Sequence, residues 1–159
     1  SCLLTFSDEF KTLKGLNNRE QLKNKFFLLE EFILDQIKIK NKINHINFDK
    51  EVIIHGHCHQ KSQNRMKGLF KLLDTFNIKY KMIDSSCCGM AGSFGYNSKN
   101  YDISKKMAYL SLIPEINKTD KNAFILANGT SCRHQISDFS ERKPKHIAEL
   151  LFNLFERIN

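Results

Sequence analysis

Residues 51–60 read EVIIHGHCHQ. Val52, Ile53 and Ile54 make a short β-branched apolar run, the signature of a buried strand, and the run ends at Gly56 with Cys58 close behind. The same succession occurs twice more. Residues 79–83 (KYKMI) lead into DSSCCGMAGSFGY, which carries Cys87 and Cys88. Residues 123–127 (AFILA) lead into NGTSCRHQI, which carries Cys132.

Helical patterns fill the spaces between these runs. They are expected over 62–76, over 98–112 with a stop near Pro114, and over 146–158. Upstream, Leu22, Phe26, Leu29, Phe32 and Ile33 recur at helical spacing, with Leu28 and Ile37 close to the same stripe. They predict a long amphipathic helix over 19–39 whose stripe packs on a core. Residues 1–18 read as irregular with a short helix near 8–13, and 41–50 as a polar connection. Strands alternating with helices imply an α/β fold: a parallel sheet of βαβ units flanked by helices.

A chain of 159 residues suggests a single domain over 1–159. With 41% hydrophobic and 26% charged residues it reads as globular. No run of about 18 apolar residues offers a membrane span. Asp8 and Glu9 stand where a secretory signal would be apolar, so a cytoplasmic location is expected. The chain does not begin with Met, and it is expected to be the C-terminal portion of a larger protein. The net charge of +8 comes from scattered lysines. The densest cluster, Lys38, Lys40 and Lys42, has no interleaved aromatics, which argues against a nucleic-acid partner. A basic face still suits docking to an acidic partner or to the membrane surface as a peripheral protein.

Five cysteines without a secretory signal argue against a disulfide framework and for metal or redox chemistry. In a parallel sheet the three strands end at one edge, and ligand sites lie outside the carboxyl ends of strands. Cys58, Cys87, Cys88 and Cys132 should therefore converge. Four thiolates suit a [4Fe–4S] cluster or a zinc site. The alternative, cysteines packed as small hydrophobes, fits poorly with their expected place in glycine-rich loops.

Gly89, Gly92 and Gly95 allow backbone to pass close to a bulky ligand and to offer N–H groups to its sulfurs. A phosphate loop would need a Lys followed by Ser or Thr, absent here. His55, His57 and His59 would share one face of an extended segment around Cys58, as zinc ligands or as donors to a cluster. His134, two residues past Cys132, has the same pair of readings. No catalytic triad can be assembled.

HCHQ at 57–60, SSCCGMAGSFGY at 85–96 and NGTSCRHQI at 128–136 together resemble the CCG, or cysteine-rich, domain. That domain occurs in heterodisulfide reductase subunits, in iron–sulfur subunits of glycolate and glycerol-3-phosphate dehydrogenases, and at the end of FAD-linked D-lactate and D-2-hydroxyglutarate dehydrogenases. The variant here is most similar to the last group. The family pattern is Cys, then CCG, then CxxC, and Gly129 stands where the first cysteine of the CxxC would be. The resemblance implies an iron–sulfur cluster, here a four-cysteine [4Fe–4S] type, that relays electrons. It also implies FAD on another domain or partner subunit, and a quinone or other acceptor. The opening SCLLTFSDEF is similar to the end of a preceding cysteine repeat, which leaves Cys2 outside the ligand set. A structural zinc domain and a thiol-disulfide catalyst of the heterodisulfide reductase kind are the alternatives.

Overall fold

The structure, a computed structural model, describes residues 2–14, 25–40, 48–85 and 87–156. Helix α1 (Cys2–Ser7) and a 3₁₀ turn (Glu9–Thr12) precede α2 (Leu29–Lys40). Strand β1 (Val52–His55) leads through α3 (Cys58–Ser62) and α4 (Met66–Thr75) to β2 (Tyr80–Met82). Two 3₁₀ turns, α5 (Tyr101–Leu110) and α6 (Leu112–Lys118) then lead to β3 (Phe124–Ala127), followed by α7 (Thr130–Phe139) and α8 (Ile147–Glu156).

The sheet is parallel, with order β2-β1-β3. Val52 pairs with Tyr80 on one side and Phe124 on the other, and His55 pairs with Ala127. The expected α/β fold with a parallel sheet between helices is the observed one. Side chains alternate across it. Val52, Ile54 and Leu126 pack with Leu69, Leu72 and Leu73 of α4 and Leu150 and Leu154 of α8. Ile53, Ile125 and Ala127 pack on the other face with Leu112, Ile113, Ile116 and Ile136. Cys88 and Cys132 belong to this second core, and the strand period places His55 on the face of Ile53.

Several boundaries differ from the sequence reading. The helix expected over 19–39 begins at Leu29, because residues 26–28 are not helical; residues 19–24 lie outside the described residues. Glu31, in the first turn, accepts a hydrogen bond from the Leu28 N–H at 2.9 Å, and Glu30 beside it favours the positive end of the helix dipole. Pro114 marks the break between two helices: α5 ends at Leu110, whose carbonyl Pro114 has no N–H to bond, and α6 restarts at Leu112. Pro114 is the third residue of α6, where its missing N–H would have had no helical partner. The opening segment is helical from Cys2, ahead of the short helix expected over 8–13.

Two cysteines expected in loops open helices instead. Cys58 is the first residue of α3 and Cys132 the third of α7. A helix start at Cys58 breaks the extended segment on which His57 and His59 would have shared a face.

Candidate functional site

β1 ends at His55, and the chain turns through Gly56 so that α3 starts at Cys58. Beyond β2, Ser85 lies buried against the same edge, and Cys87 and Cys88 follow. Beyond β3, Gly129 serves as N-cap of α7 and brings Cys132 to the edge; the guanidinium of Arg133 donates to the carbonyls of Ala127 and Asn128 at 2.9 and 3.0 Å and fixes this turn.

The buried centre is His55, Cys88 and Cys132, whose ligand atoms lie within 4.8 Å of one another. Cys88 and Cys132 are 3% and 2% exposed. Cys58 is exposed and Cys87 half-buried, so both lie outside this compact centre. Their charges nevertheless reach it. The Cys132 thiol is pushed far up by its hydrogen bond to Cys88, then by burial and the charges of Cys88, Cys58 and Cys87. Cys88 is held well below the usual thiol range, first by the Cys132 hydrogen bond and then, against its burial, by the imidazole of His55. Burial raises Cys58, and Cys87 and Cys88 add to the shift. A buried thiol opposed by the charges of three others, as Cys132 is by those of Cys88, Cys58 and Cys87, marks a site that a cation would relieve.

The histidines separate. His55 places Nδ1 2.9 Å from Ser85 Oγ, leaving the other ring nitrogen for the thiols. His57 is half-buried, and burial pulls its pKa down to about 4. His59 turns outward to Glu9 at 3.1 Å and Gln63 at 3.1 Å. His134 is exposed, its Nδ1 2.5 Å from the Tyr96 hydroxyl. His55 is thus the imidazole at the heart of the group. Its strand position was visible in the sequence, but its partner Ser85 comes from another loop.

The glycines differ as well. Gly89 has φ +95°, its N–H donates to Cys87 Sγ at 3.3 Å, and a Cβ there would stand 2.2 Å from the Ser104 carbonyl oxygen. At Gly95 a Cβ would meet Ser104 Oγ at 2.4 Å and Met90 Sδ at 2.5 Å. Gly92 has φ +71° with open space around it. Gly89 and Gly95 therefore press the CCG loop onto α5, where Gln135 also donates to Ser104. Cys2 is a free, exposed thiol in α1. Among the described residues no helix is long and apolar enough to cross a membrane.

Fold and site together define a parallel α/β module with a thiol–imidazole group at the carboxyl edge of its sheet. No family model and no solved structure matches the chain. It is similar to the D-2-hydroxyglutarate dehydrogenase of Pseudomonas putida, with 26% identity over 159 residues that cover 97% of this chain and 14% of that protein. The D-2-hydroxyglutarate dehydrogenase of Pantoea ananatis is 32% identical over 83 residues, 52% of this chain and 8% of that protein. One subunit of the anaerobic glycerol-3-phosphate dehydrogenase of Escherichia coli is 20% identical over 152 residues, 95% of this chain and 38% of that protein. The chain is thus related to dehydrogenases and to a dehydrogenase subunit, and it spans well under half the length of each.

Proposed function

We propose that this chain is the iron–sulfur electron-transfer part of a flavin-linked 2-hydroxyacid dehydrogenase. The feature that supports the reading is the placement of Cys58, Cys87, Cys88 and Cys132 just beyond three parallel strand ends, with the charges of Cys58, Cys87 and Cys88 all bearing on the Cys132 thiol. The donor set fits the cofactor: four thiolates are what a [4Fe–4S] cluster takes from a protein. When bound, the cluster supplies storage and release of single electrons.

The chain's own residues supply the rest. The four cysteines hold the iron. Cys88 and Cys132 sit in an apolar core with Ile113, Ile116 and Ile136, which keeps water from the inner side. The Gly89 N–H, directed at Cys87 Sγ, and the His55 ring, directed at Cys88, offset negative charge on the sulfurs. The flavin and the substrate site belong to another domain or subunit. The D-2-hydroxyglutarate dehydrogenases among its relatives suggest a D-2-hydroxy acid as substrate, with a quinone or other carrier as acceptor. The basic surface suits a cytoplasmic protein that docks at the membrane face.

A second reading has one specific observation in its favour. His55, Cys88 and Cys132 make a compact Cys/His group that supplies three of the four ligands of a structural zinc site. Anaerobic purification and reconstitution with iron and sulfide separates the two. A brown protein with bound iron and sulfide, reducible by dithionite and inert toward D-2-hydroxy acids with an artificial acceptor, is expected. A colourless protein with stoichiometric zinc that takes up no iron would overturn the iron–sulfur reading, and turnover by the isolated chain would overturn the assignment of the substrate site elsewhere.

A further inference from the structure

Gly129 has ordinary extended backbone angles, φ −75° and ψ 128°, so conformation does not call for glycine there. Space does. A Cβ at 129 would stand 2.4 Å from Cδ2 of His57 and 2.9 Å from Sγ of Cys132, with His57 Nε2 at 3.2 Å. The Cδ2–Nε2 edge of the imidazole and the sulfur of a buried thiol thus flank the one small space that a side chain at 129 would fill.

His57 is held in this place by its backbone. It is the N-cap of α3, and its carbonyl accepts the Lys61 N–H at 2.9 Å. Among the described residues its ring has no hydrogen-bond partner, although it is half-buried and next in sequence to Cys58. A half-buried imidazole without a partner, aimed at a thiol group, is a donor awaiting an acceptor.

We propose that Gly129 and His57 are a matched pair, in which the absent side chain at 129 admits the His57 ring to the sulfur of Cys132, and that His57 is a positioning residue that raises the potential of the bound cluster by donating an N–H to its sulfur. This rests on the iron–sulfur reading above. The physical basis is that hydrogen bonds to cluster sulfurs favour the reduced, more negative state. Glycine at 129 exchanges an anionic thiolate for a neutral ring, which acts in the same direction.

The test uses wild type, His57→Leu, His57→Gln, Gly129→Ala and the His57→Leu/Gly129→Ala double variant, each reconstituted anaerobically with iron and sulfide. Midpoint potentials are read by redox titration with electron paramagnetic resonance. His57→Leu and Gly129→Ala should each lower the potential, the second because its methyl group, at 2.4 Å from the ring and 2.9 Å from Cys132 Sγ, meets the ring first and displaces it. His57→Gln, which keeps an N–H donor, should stay near wild type. The double variant should match His57→Leu alone, since both changes remove one interaction. Iron and sulfide contents should be unchanged. Wild-type potentials in His57→Leu and Gly129→Ala, on protein that holds the cluster, would overturn the pairing and leave the iron–sulfur reading standing. A wild-type chain that takes up no iron and sulfide would overturn both.

Discussion

The Nδ1 atom of His55 lies 2.9 Å from the Oγ of Ser85, and both residues are buried. One closes the central strand and the other opens the loop that carries the paired cysteines, so this bond aligns two of the three ligand-bearing segments. A buried imidazole left without its partner costs about 1–3 kcal/mol. Ser85→Ala should lower stability by about that amount in urea unfolding, while Ser85→Thr, which keeps the hydroxyl, should recover part of it.

The glycines of the CCG loop should respond unequally. Gly89→Ala meets both a positive φ and the Ser104 carbonyl oxygen, whereas Gly92→Ala meets only a positive φ. The φ alone costs roughly 1–2 kcal/mol. Unfolding should show about that loss for Gly92→Ala and a clearly larger one for Gly89→Ala. Equal losses would mean that the contact to Ser104 relaxes freely.

Replacing Cys58, Cys87, Cys88 or Cys132 singly by Ser should abolish or sharply reduce retained iron and sulfide. Cys2→Ser should leave both at the wild-type level, because four other thiols complete the proposed ligand set. Loss of iron in Cys2→Ser would add that thiol to the ligand set.

Glu30 is 2% exposed and accepts the Gln60 side-chain N–H at 2.7 Å. Burial raises its pKa above the ordinary carboxylate value of 4.5. The folded state therefore binds the proton more tightly than the unfolded state, and stability falls as pH rises from about 4.5 through the raised value. Glu30→Gln removes this slope. Urea unfolding at pH 5 and pH 8 should show the variant gaining on wild type as pH increases, and a constant difference would contradict the burial effect.

The sheet was legible because β1 is a β-branched run and because all three strands are short stretches bounded by turn residues, and their lengths were right to within a residue or two. Parallel topology predicts that Cys58, Cys87, Cys88 and Cys132 lie at one sheet edge, and the structure brings Cys88 and Cys132 together with His55. What the sequence concealed depended on contacts distant along the chain. Gly129 reads as a simple departure from a motif until His57 is seen in the space beside it. His55 had the look of three equivalent histidines until Ser85 and Cys88 distinguished it. Local capping was readable but outweighed: the hydrophobic stripe runs back to Leu22, while Glu31 closes on Leu28 and starts the helix later. Pro114 reads as a stop signal, yet the same missing N–H suits a first turn.

Inner and outer thiols give the centre a direction. Cys88 and Cys132 face an apolar floor, while Cys58 opens to solvent at the tip of a five-residue helix. On the proposed reading, electrons have a front door and a sealed back wall. A partner gains its shortest approach only by covering α3, and whatever covers α3 also shields the most exposed ligand from oxidants. Exchange with the rest of the assembly and protection from air would then be one event at one surface.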